Sequence, residues 1–139
     1  MKSLAALLFV AAPLAISLSA QGPAKWEHDY QSALKRAKAE NKLIFMDLLT
    51  EWCPPCLHLQ KNVFPSPEGQ AALAKVVPFS SLVQKRDGTP VSEGTRLAEK
   101  FHLEAYPTMV ILDANGKEVR RQVGAFRTGT DFATWMGSK

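Results

Sequence analysis

Cys53 and Cys56 are the only two cysteines in the 139-residue chain, and in "TEWCPPCLHL" they are separated by Pro54 and Pro55 alone. Such a pair can be a staple, a metal clip or a redox centre. A disulfide closing so short a loop restricts the unfolded chain very little, so a staple here stabilises almost nothing. A metal site built on Cys53, Cys56 and His58 needs further ligands, and the other histidines, His28 and His102, lack ligand spacing. Haem attachment requires a histidine directly after the second cysteine, and His58 comes one residue too late. Redox chemistry fits each residue. A cysteine at a helix start lies beside unpaired amides and the positive end of the dipole, which favour the thiolate that attacks in disulfide exchange. Cys53 is therefore expected to be the nucleophile and the more exposed sulfur. Cys56, one turn on, is expected to resolve the mixed disulfide and to close a bridge with Cys53.

Elements on both sides must hold this pair in place. "LIFMDLL" (43–49) is an apolar run of strand length, as found where both faces are buried. A turn through 50–52 leads into a helix predicted to start at Cys53, with Pro54 and Pro55 tolerated where helix amides have no partner. It is expected to run to Phe64 and stop at Pro65. Upstream, the spacing of Trp26, Tyr30, Ala33, Leu34 and Ala37 predicts an amphipathic helix over 26–41. Downstream, Ser66 and Pro67 signal a short helix, 76–83 a strand containing Pro78, and 96–101 a helix after a polar loop. A strand over 108–113, an Asn-Gly turn and a return strand in "EVRRQVG" form a hairpin, and a last helix carries Phe132, Trp135 and Met136. The order predicts an α/β domain: a mixed four-stranded sheet flanked by helices on both faces.

Asp47 stands alone among Leu43, Ile44, Phe45, Met46, Leu48 and Leu49. If buried it is costly and its pKa rises; the alternative is a solvated, edge-facing carboxylate.

The composition, 46% hydrophobic and 22% charged, is that of one globular domain. The net charge of +4 is interleaved with acids, as in "LKRAKAENK", and no basic stripe with aromatics suggests nucleic acid. "MKSLAALLFVAAPLAISLSA" has a lysine, an apolar run and small residues, the pattern of a secretory signal peptide cleaved after Ser19 or Ala20. Residues 1–20 are thus expected to be a leader and 21–139 the domain, exported to the periplasm or secreted; the alternative is that the apolar segment is kept as an uncleaved anchor.

Two segments carry a resemblance. "DLLTEWCPPC" resembles the active-site stretch of thioredoxin-fold proteins, where an aspartate, a tryptophan and a Cys-x-x-Cys pair follow at the same spacing. "EAYPTMVILDANGKEV" is similar to their later segment, where a cis-proline precedes a strand and a hairpin. The segments "KWEHDYQSALKRAKAENKLIFMDL" and "NVFPSPEG" resemble the thioredoxin-like C-terminal domains of exported thiol:disulfide interchange proteins. The resemblance covers about residues 25–136. It implies a thioredoxin fold and a cis bond before Pro107, although X-Pro bonds are cis in only ~5% of cases. It further implies that the backbone at Tyr106 docks an extended substrate and that Asp47 moves the proton of the resolving thiol. Trp52 would shield the disulfide, its alternative being a core aromatic.

The sequence departs from thioredoxins at Pro54-Pro55, where they carry Gly-Pro. Two amide donors to the Cys53 thiolate are then missing, which argues against a strong oxidant. The expected function is an exported thiol:disulfide oxidoreductase acting mainly as a reductase, without organic cofactor or metal. Its expected partners are proteins with disulfides or thiols and a membrane-bound electron donor, and a monomer is expected. The alternatives are an oxidase or isomerase, or a non-enzymatic binding or metal-delivery module.

Overall fold

The computed structural model describes residues 22–138. The leader expected over 1–20 lies outside them.

The apolar run after Lys42 forms β1 (Ile44–Thr50), which is buried along nearly its whole length. It is an interior strand, parallel to β2 (Val77–Gln84) and antiparallel to β3 (Thr108–Leu112). The strand β4 (Glu118–Val123) pairs antiparallel with β3, giving the order β2-β1-β3-β4. The β3–β4 turn is the expected Asn-Gly turn: Gly116 sits at φ 82°, and Asp113 Oδ1 accepts the Asn115 and Lys117 amides at 2.8 and 3.0 Å.

Each face of the sheet is covered. Ile44, Met46 and Leu48 pack against α1 (Tyr30–Glu40) and α4 (Ser92–Lys100) through Tyr30, Ala33, Ala37, Leu97 and Ala98. Phe45, Met109 and Ile111 face α3 (Pro67–Leu73) and α5 (Gly129–Gly137) through Leu73 and Phe132, and meet Leu59 and Val63 from the segment after Cys56. Phe45 meets Phe64 and Phe132 edge-on at 5.6 and 5.3 Å, a favourable aromatic arrangement.

Three boundaries differ from the sequence reading. The first helix begins at Tyr30, not Trp26, because Asp29 Oδ1 caps it by accepting the Ser32 amide at 2.7 Å. The residues before it run along the edge of β2: the Glu27 amide donates to Pro78 O at 2.8 Å, and Glu27 O accepts from Ser80. Trp26 consequently packs on Phe64, across the sheet from the α1 core. The helix α4 begins at Ser92, four residues before its expected start, and lies close against β2. A Cβ at Gly94 would collide with the Leu82 carbonyl, so this approach requires glycine. Finally, the helix after the cysteines is not uniform. The helix α2 (Pro54–His58) widens into a π-helical turn over Leu59–Val63, in which the Phe64 amide reaches Leu59 O at 2.8 Å.

Candidate active site

The chain leaves β1 at Thr50, and the next loop is tied to the end of β2. The Glu51 amide donates to Gln84 O at 3.0 Å, while Glu51 Oε2 accepts the Arg86 amide at 2.7 Å. This fixes where α2 begins. Cys53 is the N-cap, Pro54 is the first helical residue as expected, and Pro55 follows it in the first turn. Cys53 and Cys56 are disulfide-bonded with their Cα atoms 5.3 Å apart.

The cap geometry adds a donor that the sequence reading did not count. The Cys56 amide points back to Cys53 Sγ at 3.2 Å. Two amides are lost to the prolines, and the third in the turn remains. In the reduced protein a donor at this place favours the Cys53 thiolate. The expected difference in exposure is not found: Cys53 is 2% and Cys56 1% exposed. Capping turns the Cys53 side chain onto its own helix, so position relative to the amides distinguishes the two sulfurs and exposure does not.

Trp52 is 50% exposed, which excludes a core role. Its indole N–H donates to Gln84 Oε1 at 2.6 Å, and its ring meets Tyr106 edge-on at 6.3 Å. Gln84 escaped notice in the sequence because only the β1–β2 pairing brings it to the site. Tyr106 is half-buried, with its hydroxyl pKa raised by desolvation. The Tyr106–Pro107 peptide bond is cis, and Pro107 O accepts the Gly124 amide at 2.9 Å. His58 links α2 to the β4–α5 loop: Nδ1 accepts from Asn62 and Nε2–H donates to Arg127 O, each at 3.1 Å.

Asp47 is 1% exposed, so the solvated alternative does not hold. It lies in the middle of the interior strand, opposite Ser80 and Met109. Strand alternation places it on the face of Phe45, the face on which the Cys56 helix packs. Its Oδ1 has no protein hydrogen-bond partner among the described residues, and burial pushes its pKa up to about 7. Also among the described residues, no cluster of three or more His, Cys, Asp or Glu is placed to hold a metal ion.

Residues 30–138 match the family model of the thioredoxin-like domain. The chain belongs to that family. Over 98 residues it is 28% identical to the thiol:disulfide interchange protein DsbD of Haemophilus ducreyi, the match covering 70% of this chain and 16% of that protein. Over 92 residues it is 38% identical to thioredoxin H4 of Arabidopsis thaliana, covering 66% of this chain and 68% of that one. The solution structure of a thioredoxin from Thermus thermophilus superposes with a TM-score of 0.66 at 29% identity, over 81% of this chain and 83% of that chain. The thioredoxin-like domain thus spans about a sixth of the interchange protein it matches and two thirds of the plant thioredoxin. Its fold is of the thiol:disulfide oxidoreductase type, with Cys53 and Cys56 as a close Cys-x-x-Cys pair.

Proposed function

We propose that this protein is an exported thiol:disulfide oxidoreductase that mainly reduces disulfides in other proteins. The observation that carries the reading is the bridge between Cys53, the cap of α2, and Cys56, whose amide serves the Cys53 sulfur. A bridge between residues three apart constrains little, whereas the same placement makes one sulfur a stabilised thiolate when the bridge opens.

In the forward direction the Cys53 thiolate attacks one sulfur of a substrate disulfide and expels the other as a thiolate, which takes a proton from solvent. The Cys56 thiol passes its proton to the Asp47 carboxylate. The Cys56 thiolate then attacks Cys53 Sγ and expels the second substrate sulfur. The substrate gains two electrons and the Cys53–Cys56 bridge re-forms. A carboxyl whose pKa lies near neutrality suits this transfer, being able both to accept and to release a proton. The half-exposed Trp52 and the backbone at Tyr106–Pro107 form the ledge on which an extended substrate lies beside the sulfurs. No organic cofactor is required, since the cysteines carry the electrons. A membrane-bound donor restores the dithiol, as the likeness to the interchange proteins suggests. The protein works as a monomer outside the cytoplasm.

Equilibration with glutathione tests the direction. Only one of the first three amides of α2 remains, so the potential should lie nearer about −270 mV, typical of thioredoxin, than about −120 mV, typical of a strong oxidant. A value above about −160 mV would replace the reductase reading with the oxidase one. A bridge that dithiothreitol cannot open in the folded protein would point to a non-enzymatic module.

A further inference from the structure

The helix that carries the cysteine bridge is held to the rest of the protein by little. Of the five residues of α2, Cys56 alone is buried, and Pro54, Pro55 and Leu57 are exposed. Among the described residues, one side-chain hydrogen bond runs from α2 to a distant part of the chain, that from His58 to Arg127 O at 3.1 Å. The other ring nitrogen, Nδ1, accepts from Asn62 Nδ2 in the π-helical turn, also at 3.1 Å. A neutral imidazole has one donor and one acceptor nitrogen. Asn62, by occupying Nδ1 as an acceptor, keeps the proton on Nε2, where the bond to Arg127 needs it.

Arg127 belongs to a short loop with both ends fixed. Where β4 ends, the Gly124 amide donates to Pro107 O at 2.9 Å. Directly after Arg127, Thr128 and Asp131 exchange the two hydrogen bonds of a capping box, at 3.1 and 3.2 Å, and α5 begins. Gly129, its first residue, lies so close to Ser66 that a Cβ there would collide with the Ser66 hydroxyl. Only Ala125 and Phe126 separate the residue bonded to Pro107 from the residue bonded to His58. Phe126 is itself packed on Phe132 and Trp135, with ring centroids 5.6 and 5.4 Å away.

We propose that His58 is a positioning residue that sets the sulfur pair against the Tyr106–Pro107 ledge. The tie runs from α2 through the His58 ring to Arg127, along the loop to Gly124, and on to Pro107. The proposal rests on the reductase reading for the role of the ledge. Attack requires Cys53 Sγ beside the sulfur of a chain already lying on that ledge, and a misplacement on the order of 1 Å can cost ~10²-fold in rate. His58 acts through the loop and takes no proton from either sulfur. A disulfide too small to engage the ledge and the sulfurs at once needs no such spacing.

Two substitutions separate the tie from the ring. In His58→Gln the side-chain amide nitrogen stands where Nε2 stood and still donates to Arg127 O. In His58→Asn it stands in place of Nδ1 and falls short of that carbonyl. Deuterium exchange at the Gly124 amide should be roughly tenfold faster than in the parent for His58→Asn and unaltered for His58→Gln. The kcat/KM for reducing an extended peptide disulfide should fall roughly tenfold in His58→Asn and return to the parent value in His58→Gln. Reduction of hydroxyethyl disulfide, and the reduction potential, should match the parent in both. A loss in His58→Gln as large as in His58→Asn, an equal loss on hydroxyethyl disulfide, a shifted potential, or parental Gly124 exchange in His58→Asn overturns the proposal. A parent protein that reduces neither disulfide overturns the reductase reading instead, and Gly124 exchange then decides alone whether His58 holds the loop at Pro107.

Discussion

The Cys56 amide donates to Cys53 Sγ at 3.2 Å, and it is the first amide of α2 able to do so. Pro54 and Pro55 remove the two before it. The Cys53 sulfur is thus served by the backbone of Cys56, its partner in the bridge.

Restoring a second donor should shift the couple. A hydrogen bond to a charged group contributes about 1.5–3 kcal/mol, equivalent to roughly 30–60 mV for two electrons. Pro55→Ala should therefore raise the reduction potential by about that much in glutathione equilibration. An unchanged or lower potential would show that the new amide does not reach Cys53.

The two sulfurs should differ in reactivity despite equal burial. Alkylation of the reduced protein near neutral pH should label Cys53 well before Cys56, as peptide mapping by mass spectrometry would show. Faster labelling of Cys56 would reverse the roles.

Asp47 should make stability depend on pH. Its carboxyl titrates near about 7 in the folded protein against 3.8 for the unperturbed group, so the folded state holds the proton more tightly. The stabilising contribution is full below about pH 4 and is lost as pH rises through about 7, up to about 4 kcal/mol in all. Asp47→Asn removes this dependence. Its melting temperature relative to the parent should climb between acid and mildly alkaline pH, while disulfide reduction slows. Parallel melting curves across that range would refute a buried, titrating Asp47.

Trp52 is expected to matter more for substrate than for stability. The ring is half exposed and held by Gln84 and Tyr106, so Trp52→Ala should lower stability by only about 1 kcal/mol. The kcat/KM for reduction of insulin should fall much further, with Gln84→Ala showing a smaller loss of the same kind. Unaltered kcat/KM in Trp52→Ala would remove the ring from the ledge.

Gly94 supplies a control far from the sulfurs in function. Gly94→Ala forces a methyl group against the Leu82 carbonyl and should destabilise the fold by about 1–3 kcal/mol in denaturant titration. The reduction potential should not move. A fully stable variant would mean that α4 can draw back from β2 without penalty.

Much of this protein was legible in its sequence, wherever the signal was local. The two cysteines three apart, the continuous apolar run of β1, the Asn-Gly turn and the Ser66 cap depend on neighbours along the chain, and they sufficed to predict a mixed sheet covered on both faces. Tertiary structure decided what depends on distant partners. Trp26 has helical spacing with Tyr30, yet the strap pairs with β2 and carries the ring to Phe64, because a free strand edge offers Glu27 hydrogen bonds that one more helical turn would not. Gln84 reaches Trp52 only through the pairing of β1 with β2. Asp47 could have been solvated or buried on its sequence alone. Flanking strands on both sides and a packed helix face remove it from water, and that burial raises its pKa. The residue types determined which chemistry was available, and the long-range packing decided where the donors, the Trp52–Tyr106 pair and the buried Asp47 carboxyl would be, since side chains far apart in sequence meet only when the sheet closes.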